Sequence, residues 1–533
     1  MDRSTDGAAT ERLNRRRFLE TAGAAALAAA SPSTVQCATG PKSNSAVNVL
    51  FLMTDEQHHR SLSLTGNPYV ETPHMDRIGR EGVCFNNATC VTPYCSPSRA
   101  SILTGLYPHT HGILTNVSPS RNNQPPLDQD AFPNTETILH DQGYATGHRG
   151  KWHLGDKGDF DCYESFSYAG KTGRQYRAFL DEHLPAARFA DHPSPGQYLG
   201  RPVEMIPTVE KGYHAFHGVP NNPLAYISII GRSVIPPRLL PETQITNQVL
   251  ELLDRNVRKN FMITASWSPP HDLWVIPEPY YGLVDRAKIE LPGSTDLPEW
   301  DRRGASKRLG DVMGPEGTRE YAAIYHGMVK YIDDQLGRVL KKLDDLGLAD
   351  DTLVVFTSDH GDMVGAHGCI GKSIFSFFDD LVRIPLLMRL PGRIRPGTVV
   401  DRPVSQIDFM PTILDYLGQP VPEKIHGRSM RPLVEGRDVP WREHAFCQRA
   451  NQGRMLRTER YKYVCRPNSK LAALYDLKND PHEDRNLATD PAHAKTVRQM
   501  HQRLLEVMAA DGDLLREKEP VPPAEMEPAE SVK

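Results

Sequence analysis

The sequence predicts an α/β protein: a large, mostly parallel sheet flanked by helices, followed by a smaller domain with an antiparallel sheet and a helix. The 533 residues exceed what one hydrophobic core usually organises, so two domains are the first expectation. Four apolar runs of strand length alternate with segments of helical periodicity, as a doubly wound sheet requires. From about residue 421 the pattern changes to short strands separated by turn residues.

The composition favours an enzyme with many long loops. The chain has 44 prolines and 40 glycines, and 39% of its residues are hydrophobic. Its formal net charge is −4, from 62 basic and 66 acidic residues, so the sequence carries no electrostatic signature of nucleic-acid binding or of a membrane surface. Any binding of anions must therefore be local.

The N-terminal segment 1–40 is predicted to be a signal rather than part of the fold. Residues 14–20 read NRRRFLE, and the apolar run AGAAALAAA at 22–30 is too short to span a bilayer. This pattern is typical of a twin-arginine export signal, and an alanine-rich helix after a basic arm is the alternative. We therefore expect an exported protein, periplasmic or extracellular, without stable membrane insertion.

Each of the four apolar runs leads into residues that bind metals or anions. The runs are 46–53, 143–150, 261–267 and 351–357, and the segments after them read TDE, KWH, SPPHD and SDH. In open parallel sheets, ligands bind beyond the carboxyl ends of the strands. The four runs therefore predict one shared site. The residues expected there are Asp55, Glu56, Lys151, His153, His271, Asp359 and His360.

Helix signals lie between these runs. A cap at Thr72 and Pro73 after it predict a helix over 73–80, and residues 318–348 have apolar positions at helical spacing. Residues 491–510 read as an amphipathic helix, and the proline- and glutamate-rich end predicts disorder. The predicted domains are a catalytic domain at 46–420, a C-terminal α+β domain at 421–515 and a disordered tail at 516–533.

The eight cysteines show no C-x-x-C or C-x-x-H spacing, which argues against a zinc or redox motif. A disulfide framework is not expected in a chain of this size. In an exported protein, Cys447 and Cys465 are one pair that could still form a bond.

The stretch YCSPSRASILTG at 94–105 draws attention to Cys95. Ser96 suits a helix cap and Pro97 the first helical position, so Cys95 is expected at a helix N-terminus, where amides and the dipole favour an anion. Arg99 falls in the first turn, and its planar guanidinium could hold a tetrahedral oxyanion through two hydrogen bonds. Taken alone, this pattern indicates an activated cysteine nucleophile, as in cysteine phosphatases or proteases. The glycine-rich loop of the phosphatases is missing.

Two long motifs make the pattern more specific. The run from Cys95 to Gly105 matches C-x-P-S-R-x-x-x-L-T-G, and GYATGHRGKWH at 143–153 matches a second signature in the expected order. The chain therefore resembles the type I sulfatases, the formylglycine-dependent members of the alkaline phosphatase superfamily. The resemblance covers roughly 47–487, including ALYDL at 473–477. It implies a large α/β domain with a mixed sheet and a small domain with an antiparallel sheet.

The resemblance also implies the chemistry. In that family a formylglycine-generating enzyme oxidises the cysteine, here Cys95, to formylglycine (3-oxoalanine), and the hydrated aldehyde attacks sulfur. One Ca²⁺ per chain binds beside it through oxygen ligands. The metal ligands implied here are Asp55, Glu56, Asp359, His360 and the modified Cys95. Glu56 replaces the commoner aspartate, so it either binds the metal or points away into a structural hydrogen bond; His360 replaces the commoner asparagine.

Further roles follow by resemblance. Arg99 is expected to orient and stabilise the nucleophile, and Lys151 and Lys372 to hold sulfate oxygens. His153 is the candidate base that helps to release sulfate, and His271, together with Lys372, is the candidate acid for the leaving alcohol. Lys372 is placed only by the short match GK at 371–372, and a surface lysine is its alternative.

These features predict a sulfuric ester hydrolase whose substrate is a sulfated carbohydrate or a sulfated small molecule. Two alternatives remain open: a phosphonate monoester or phosphodiester hydrolase of the same superfamily, and a noncatalytic sulfated-glycan binder in which Cys95 stays a thiol. The long polar insertion 156–259 is expected to line the pocket and set specificity.

Overall fold

The computed structural model describes much of the chain between residues 47 and 513. The gaps are 118–123, 156–160, 164–177, 181, 184–195, 199–200, 206–229, 234, 292–293, 295–296, 303, 373–376 and 467–471. The predicted signal segment 1–40 and tail 516–533 lie outside the described residues, as does much of the insertion 156–259.

Strands and helices are interspersed along the chain up to the C-terminal region. The strands are β1 (Asn48–Asp55), β2 (Val83–Phe85), β3 (Ala88–Thr89), β4 (Ala145–Gly150), β5 (Asp161–Tyr163), β6 (Gly196–Tyr198), β7 (Arg201–Met205), β8 (Ile230–Ser233), β9 (Phe261–Pro270), β10 (Trp274–Ile276), β11 (Thr352–Ser358), β12 (Leu386–Arg389), β13 (Thr398–Val400), β14 (Val404–Ser405), β15 (Ala445–Arg449), β16 (Gly453–Arg457), β17 (Tyr461–Cys465) and β18 (Ala472–Asp476). The helices are α1 (Pro73–Arg80), α2 (Cys95–Thr104), α3 (Pro108–His111), α4 (Thr135–Asp141), α5 (Pro241–Asn256), α6 (Ala305–Asp345), α7 (Asp379–Val382), α8 (Phe409–Leu417), α9 (Arg431–Val434) and α10 (Ala494–Asp511).

The largest sheet has eight strands in the order β13-β2-β12-β11-β1-β9-β4-β5. Its centre, β11-β1-β9-β4, consists of the four predicted runs, and they pair in parallel. Strand β12 pairs antiparallel with both of its neighbours, so the sheet is mixed and mostly parallel. This confirms the predicted fold class.

Strand β1 is buried on both faces of the sheet. Leu50 and Leu52 face a core that includes residues of α1, α5 and α6, whereas Val49, Phe51 and Met53 face a second core shared with α8. Side chains alternate along a strand, so an unbroken apolar run must be buried on both sides.

Two predicted helix starts were wrong. Helix α6 begins at Ala305 rather than near residue 318, because it continues through a break at Gly314 and Pro315, where Gly314 has φ 64°. Helix α2 begins at Cys95 with Tyr94 as its cap, so Ser96 lies inside the first turn. The Ser96 hydroxyl instead donates to the His153 carbonyl at 2.6 Å.

The C-terminal strands β15-β16-β17-β18 form an antiparallel sheet. One face packs on the core that β1 shares with α8, and the other packs on α10. Cys447 belongs to the first face and Cys465 to the second, and both thiols are free. The suggested disulfide between them is therefore wrong, because the sheet separates the two sulfur atoms.

Smaller sheets complete the structure, in the orders β10-β8-β7-β6 and β14-β3. Among the described residues, no helix has both the length and the apolar character needed to cross a bilayer.

Candidate active site

The central strands deliver the predicted site residues to one edge of the large sheet. Asp55 is the last residue of β1, and Asp359 follows β11 directly. Lys151 follows β4, and His271 follows β9. The register of β1 on β9 shifts between Met53 and Asp55. Such irregularities change the direction of side chains and are common beside active sites.

Cys95 lies at the centre of this group and is fully buried. Its Sγ is 3.2 Å from Lys372 Nζ, 3.4 Å from His360 Nε2 and 3.8 Å from Asp55 Oδ1. Burial acts to raise the pKa of the Cys95 thiol, but the charges of Lys151, Lys372 and His360 hold it well below its ordinary value. The surroundings of position 95 therefore favour a negative charge.

Arg99 makes four hydrogen bonds to the protein, so most of its five N–H donors are occupied without an oxyanion. Its Nη2 donates to Asp55 Oδ2 at 2.8 Å, and its Nε donates to Asp359 Oδ2 at 2.9 Å. Its Nη1 donates to the Lys151 carbonyl at 2.7 Å and to Ser266 Oγ at 2.9 Å. Arg99 therefore orients two carboxylates around Cys95.

Four residues of the site, Cys95 among them, form a cluster that could hold a metal ion. One ligand atom from each of four buried residues lies within 4.8 Å of the others; these residues are Asp55, Glu56, Cys95 and His360. His360 Nδ1 lies 2.9 Å from the Gly361 carbonyl, and a hydrogen bond to that acceptor leaves Nε2 free to bind a metal. The carboxylates fit a hard divalent cation such as calcium, while His360 adds a nitrogen outside calcium's usual oxygen set.

Asp359 lies at the border of this cluster, with Oδ1 4.0 Å from His360 Nε2. Burial, followed by the charge of Asp55, raises the pKa of Asp359 to about 6. Two buried carboxylates facing one space repel each other, and a cation between them would relieve that repulsion. The residues present therefore fit a metal ion.

The Glu56 carboxylate faces the site. It forms an ion pair with Lys372, and its Oε1 is 3.1 Å from His271 Nε2. The contact with Glu56 also places Lys372 inside the site rather than on the surface. Glu56 has φ 66°, in the left-handed region that non-glycine residues rarely adopt, and Tyr325 donates a 2.6 Å hydrogen bond to its carbonyl.

The remaining predicted residues surround the thiol. Lys151 Nζ is 2.5 Å from Asp55 Oδ2. Burial lowers the pKa of His153, while its hydrogen bond to Cys95 opposes that shift. His271 Nδ1 is 2.8 Å from Asp272 Oδ1; burial opposes its charge, but Asp272 and Glu56 raise the pKa of His271 well above its ordinary value. The structure thus brings all the predicted site residues together.

Sequence reasoning missed several supporting residues. Asp272 follows His271 directly, and an acid beside a candidate proton donor was a usable signal. Ser98 and Gln406 both donate to the Asp359 carbonyl at 2.6 Å, yet they are 308 positions apart in sequence. No local pattern around Gln406 could have indicated that contact.

The fold and the site together define a hydrolase of the alkaline phosphatase superfamily. Residues 47–419 match the family described as Sulfatase, and residues 365–510 match the C-terminal family of N-sulphoglucosamine sulphohydrolase. The chain belongs to the type I sulfatase family and is a sulfatase.

Three relatives illustrate the range of that similarity. The multifunctional alkaline phosphatase superfamily protein PehA of Trinickia caryophylli is 30% identical, over 87% of this chain and 96% of its own. The N-acetylglucosamine-6-O-sulfatase of Bacteroides thetaiotaomicron is 26% identical over 86% of both chains. The crystal structure of the phosphonate monoester hydrolase of Agrobacterium radiobacter has a TM-score of 0.72 and 25% identity, over 87% of this chain and 96% of its own.

Proposed function

We propose that this sulfatase hydrolyses sulfate esters of carbohydrates, with formylglycine made from Cys95 as its nucleophile and a calcium ion beside it. The observation that carries the proposal is the position of Cys95, at the N-terminus of α2 in contact with Lys372, His360 and Asp55. The glycan substrate is supported by relatives such as the N-acetylglucosamine-6-O-sulfatase. A hydrated formylglycine supplies two hydroxyls on one carbon, one to attack sulfur and one to help expel sulfate.

The other residues then have distinct tasks. Lys151 and Lys372 are close enough to Cys95 to hold the oxygens of a sulfate group bound there. His271, held between Asp272 and Glu56, is positioned to protonate the leaving alcohol. His153, hydrogen-bonded to position 95, is positioned to accept the proton that must leave when sulfate is released.

The test of the nucleophile is the mass of the tryptic peptide 81–99 from protein matured in its host, which requires a formylglycine-generating enzyme. We expect a peptide in which an aldehyde replaces the Cys95 thiol. An intact thiol in protein with full sulfatase activity would contradict the mechanism.

Asp55, Asp359 and His360, with Glu56 beside them, would hold the calcium ion, whose charge would acidify a hydroxyl at position 95 and screen the sulfate. We expect chelation to abolish turnover and to lower the melting temperature, because the carboxylates then repel each other. Readdition of Ca²⁺ should restore both. Full activity after verified metal removal would reject the metal site.

A second candidate function, phosphonate monoester or phosphodiester hydrolysis, is favoured by the similarity to the Agrobacterium radiobacter hydrolase. The relative kcat/KM values for para-nitrophenyl sulfate and para-nitrophenyl phenylphosphonate decide between them. We expect faster sulfate hydrolysis; a preference for the phosphonate would replace the sulfatase proposal with this one.

We also propose export by the twin-arginine route, supported by the motif NRRRFLE at 14–20. Replacing Arg15 and Arg16 together by lysine should retain the protein in the cytoplasm, as measured by fractionation of the native host. The matched replacement of Arg12 should leave export unchanged. Equal export of the paired variant and the native chain would contradict the proposal.

A further inference from the structure

A buried carboxylate and a buried histidine contact each other close to the active site, next to the Lys151 carbonyl. Glu136 in α4 and His148 in β4 are both almost inaccessible to solvent. Glu136 Oε1 is 2.9 Å from His148 Nδ1 and also accepts a 2.6 Å hydrogen bond from the Thr264 hydroxyl. Burying a carboxylate lowers the stability of the fold unless partners compensate for the lost water. His148 and Thr264 are the partners of Glu136, and the question is whether the pair serves only this purpose.

The second nitrogen of His148 connects the pair to the active site. His148 Nε2 is 3.2 Å from the Lys151 carbonyl, which also accepts the 2.7 Å hydrogen bond from Arg99 Nη1. Lys151 and Arg99 in turn contact the same oxygen of Asp55. A continuous set of contacts thus runs from Glu136 to the carboxylate beside Cys95.

The hydrogen-bond chemistry fixes the orientation of the imidazole. A carbonyl oxygen can only accept, so His148 Nε2 must carry a hydrogen to bond the Lys151 carbonyl. One further proton lies between Nδ1 and Glu136, whichever of the two groups holds it. Glu136 therefore sets the direction in which the histidine donates, as carboxylates do for histidines behind metal sites.

We propose that Glu136 and His148 are positioning residues that hold the Lys151 carbonyl, and through it align Lys151 and Arg99 with Asp55. This inference rests on the proposed function, in which Lys151 holds sulfate and Arg99 orients the nucleophilic site. The competing explanation is a polar pair that stabilises the fold alone.

A double substitution separates positioning from stability. His148→Leu leaves the buried Glu136 carboxylate without its imidazole partner, although Thr264 still donates to it, so the substitution should lower the melting temperature and the activity together. Glu136→Leu combined with His148→Leu replaces both partners by apolar groups, which often restores stability. We expect the double variant to recover its melting temperature but to keep a kcat/KM on para-nitrophenyl sulfate about 10- to 100-fold below the native value.

Two further variants sharpen the test. Glu136→Gln, whose amide can still donate to His148 Nδ1, should lose less activity than His148→Leu. His501→Leu, a buried histidine that contacts Tyr463 at 3.2 Å in the C-terminal domain, should lower the melting temperature without changing kcat/KM. If the double variant does not fold, the positioning role is tested by whether Glu136→Gln loses less kcat/KM than His148→Leu.

The same variants are tested for stabilisation by inorganic sulfate, measured as a rise in melting temperature. We expect a smaller rise in the double variant than in the native protein. Native kcat/KM and a native response to sulfate in the stable double variant would overturn the positioning role. Absence of sulfate-ester turnover in the native enzyme would instead contradict the proposed function, and the response to sulfate would still test the pair.

Discussion

At the scale of single residues, Arg99 explains how two buried carboxylates can lie close together. It contacts Asp55, Asp359 and the Lys151 carbonyl at once, which a planar group with five fixed donors can do and a lysine ammonium cannot. A lysine at position 99 would therefore be a disruptive replacement, although it conserves the charge.

The first prediction concerns Cys95. Cys95→Ala should abolish sulfatase turnover because alanine lacks the thiol, without which the side chain is not converted to the aldehyde that forms the proposed nucleophile. The melting temperature should change little, because the substitution removes a single buried atom; both quantities are measured on matured protein.

Cys90→Ala is the matched control, since Cys90 is equally buried and lies in the same tryptic peptide but packs into the core. It should retain turnover. Native-like rates in Cys95→Ala would contradict the assignment of the nucleophile.

At the scale of elements, the sequence was informative where a pattern is local. The apolar runs predicted β1, β4, β9 and β11, and parallel pairing then explains why the residues after them meet at one edge. The start of α6 was misplaced because the helix continues through the break at Gly314 and Pro315. The cap of α2 was misplaced because proline favours a helix start without fixing its first residue. The partners of Arg99 and the contact of Gln406 depend on tertiary structure that no local pattern encodes.

Buried charged side chains connect the C-terminal sheet to Asp379 and Glu483. Lys462 in β17 has a fully buried side chain, with Nζ 2.6 Å from Asp379 Oδ1 and 2.7 Å from Glu483 Oε1. Arg457 in β16 also binds Asp379, through two hydrogen bonds of 3.0 and 2.9 Å. Asp379 begins α7, so the network connects two strands of the C-terminal sheet to that short helix.

The second prediction concerns this network. Lys462→Met removes the cation but keeps much of the volume, so the free energy of unfolding should fall by about 3 kcal/mol because two carboxylates lose a buried partner. Burial already raises the pKa of Glu483 to about 7, and protonation of Glu483 would offset part of the loss below that pH. Thermal melting at pH 8 measures the effect.

Lys341→Met is the control, because Lys341 pairs with Asp345 on the exposed surface of α6. Its melting temperature should equal that of the native chain. Equal melting temperatures for Lys462→Met and the control would show that the buried network is not stabilising.

At the scale of the whole molecule, buried histidines should govern stability in acid. Burial lowers the pKa of His111 to about 3, and burial also lowers the pKa of His326 to about 3. The folded state keeps these groups neutral, whereas the unfolded chain binds protons below about pH 6.5. The contribution of these neutral histidines to the free energy of unfolding is therefore complete above pH 6.5 and is lost as the pH falls towards 3.

The third prediction is that each histidine contributes a slope of about 1.4 kcal/mol per pH unit between pH 6 and 4. The raised pKa values of Asp359 and Glu483 make the free energy of unfolding fall as the pH rises, which opposes the effect of the histidines. A variant is therefore needed to isolate the slope that one histidine contributes. His111→Gln should flatten the pH dependence of the free energy of unfolding, measured by urea titration across this range. An unchanged slope would show that His111 does not contribute.

The separation of Cys447 and Cys465 by the C-terminal sheet has a consequence for biogenesis. Six cysteines, Cys84, Cys90, Cys95, Cys369, Cys447 and Cys465, are free and buried, so their packing requires no oxidising conditions. The part of the fold around these six thiols is compatible with a compartment where thioredoxin and glutathione keep thiols reduced. Transport of an already folded protein would then impose no separate oxidative folding step on the far side of the membrane.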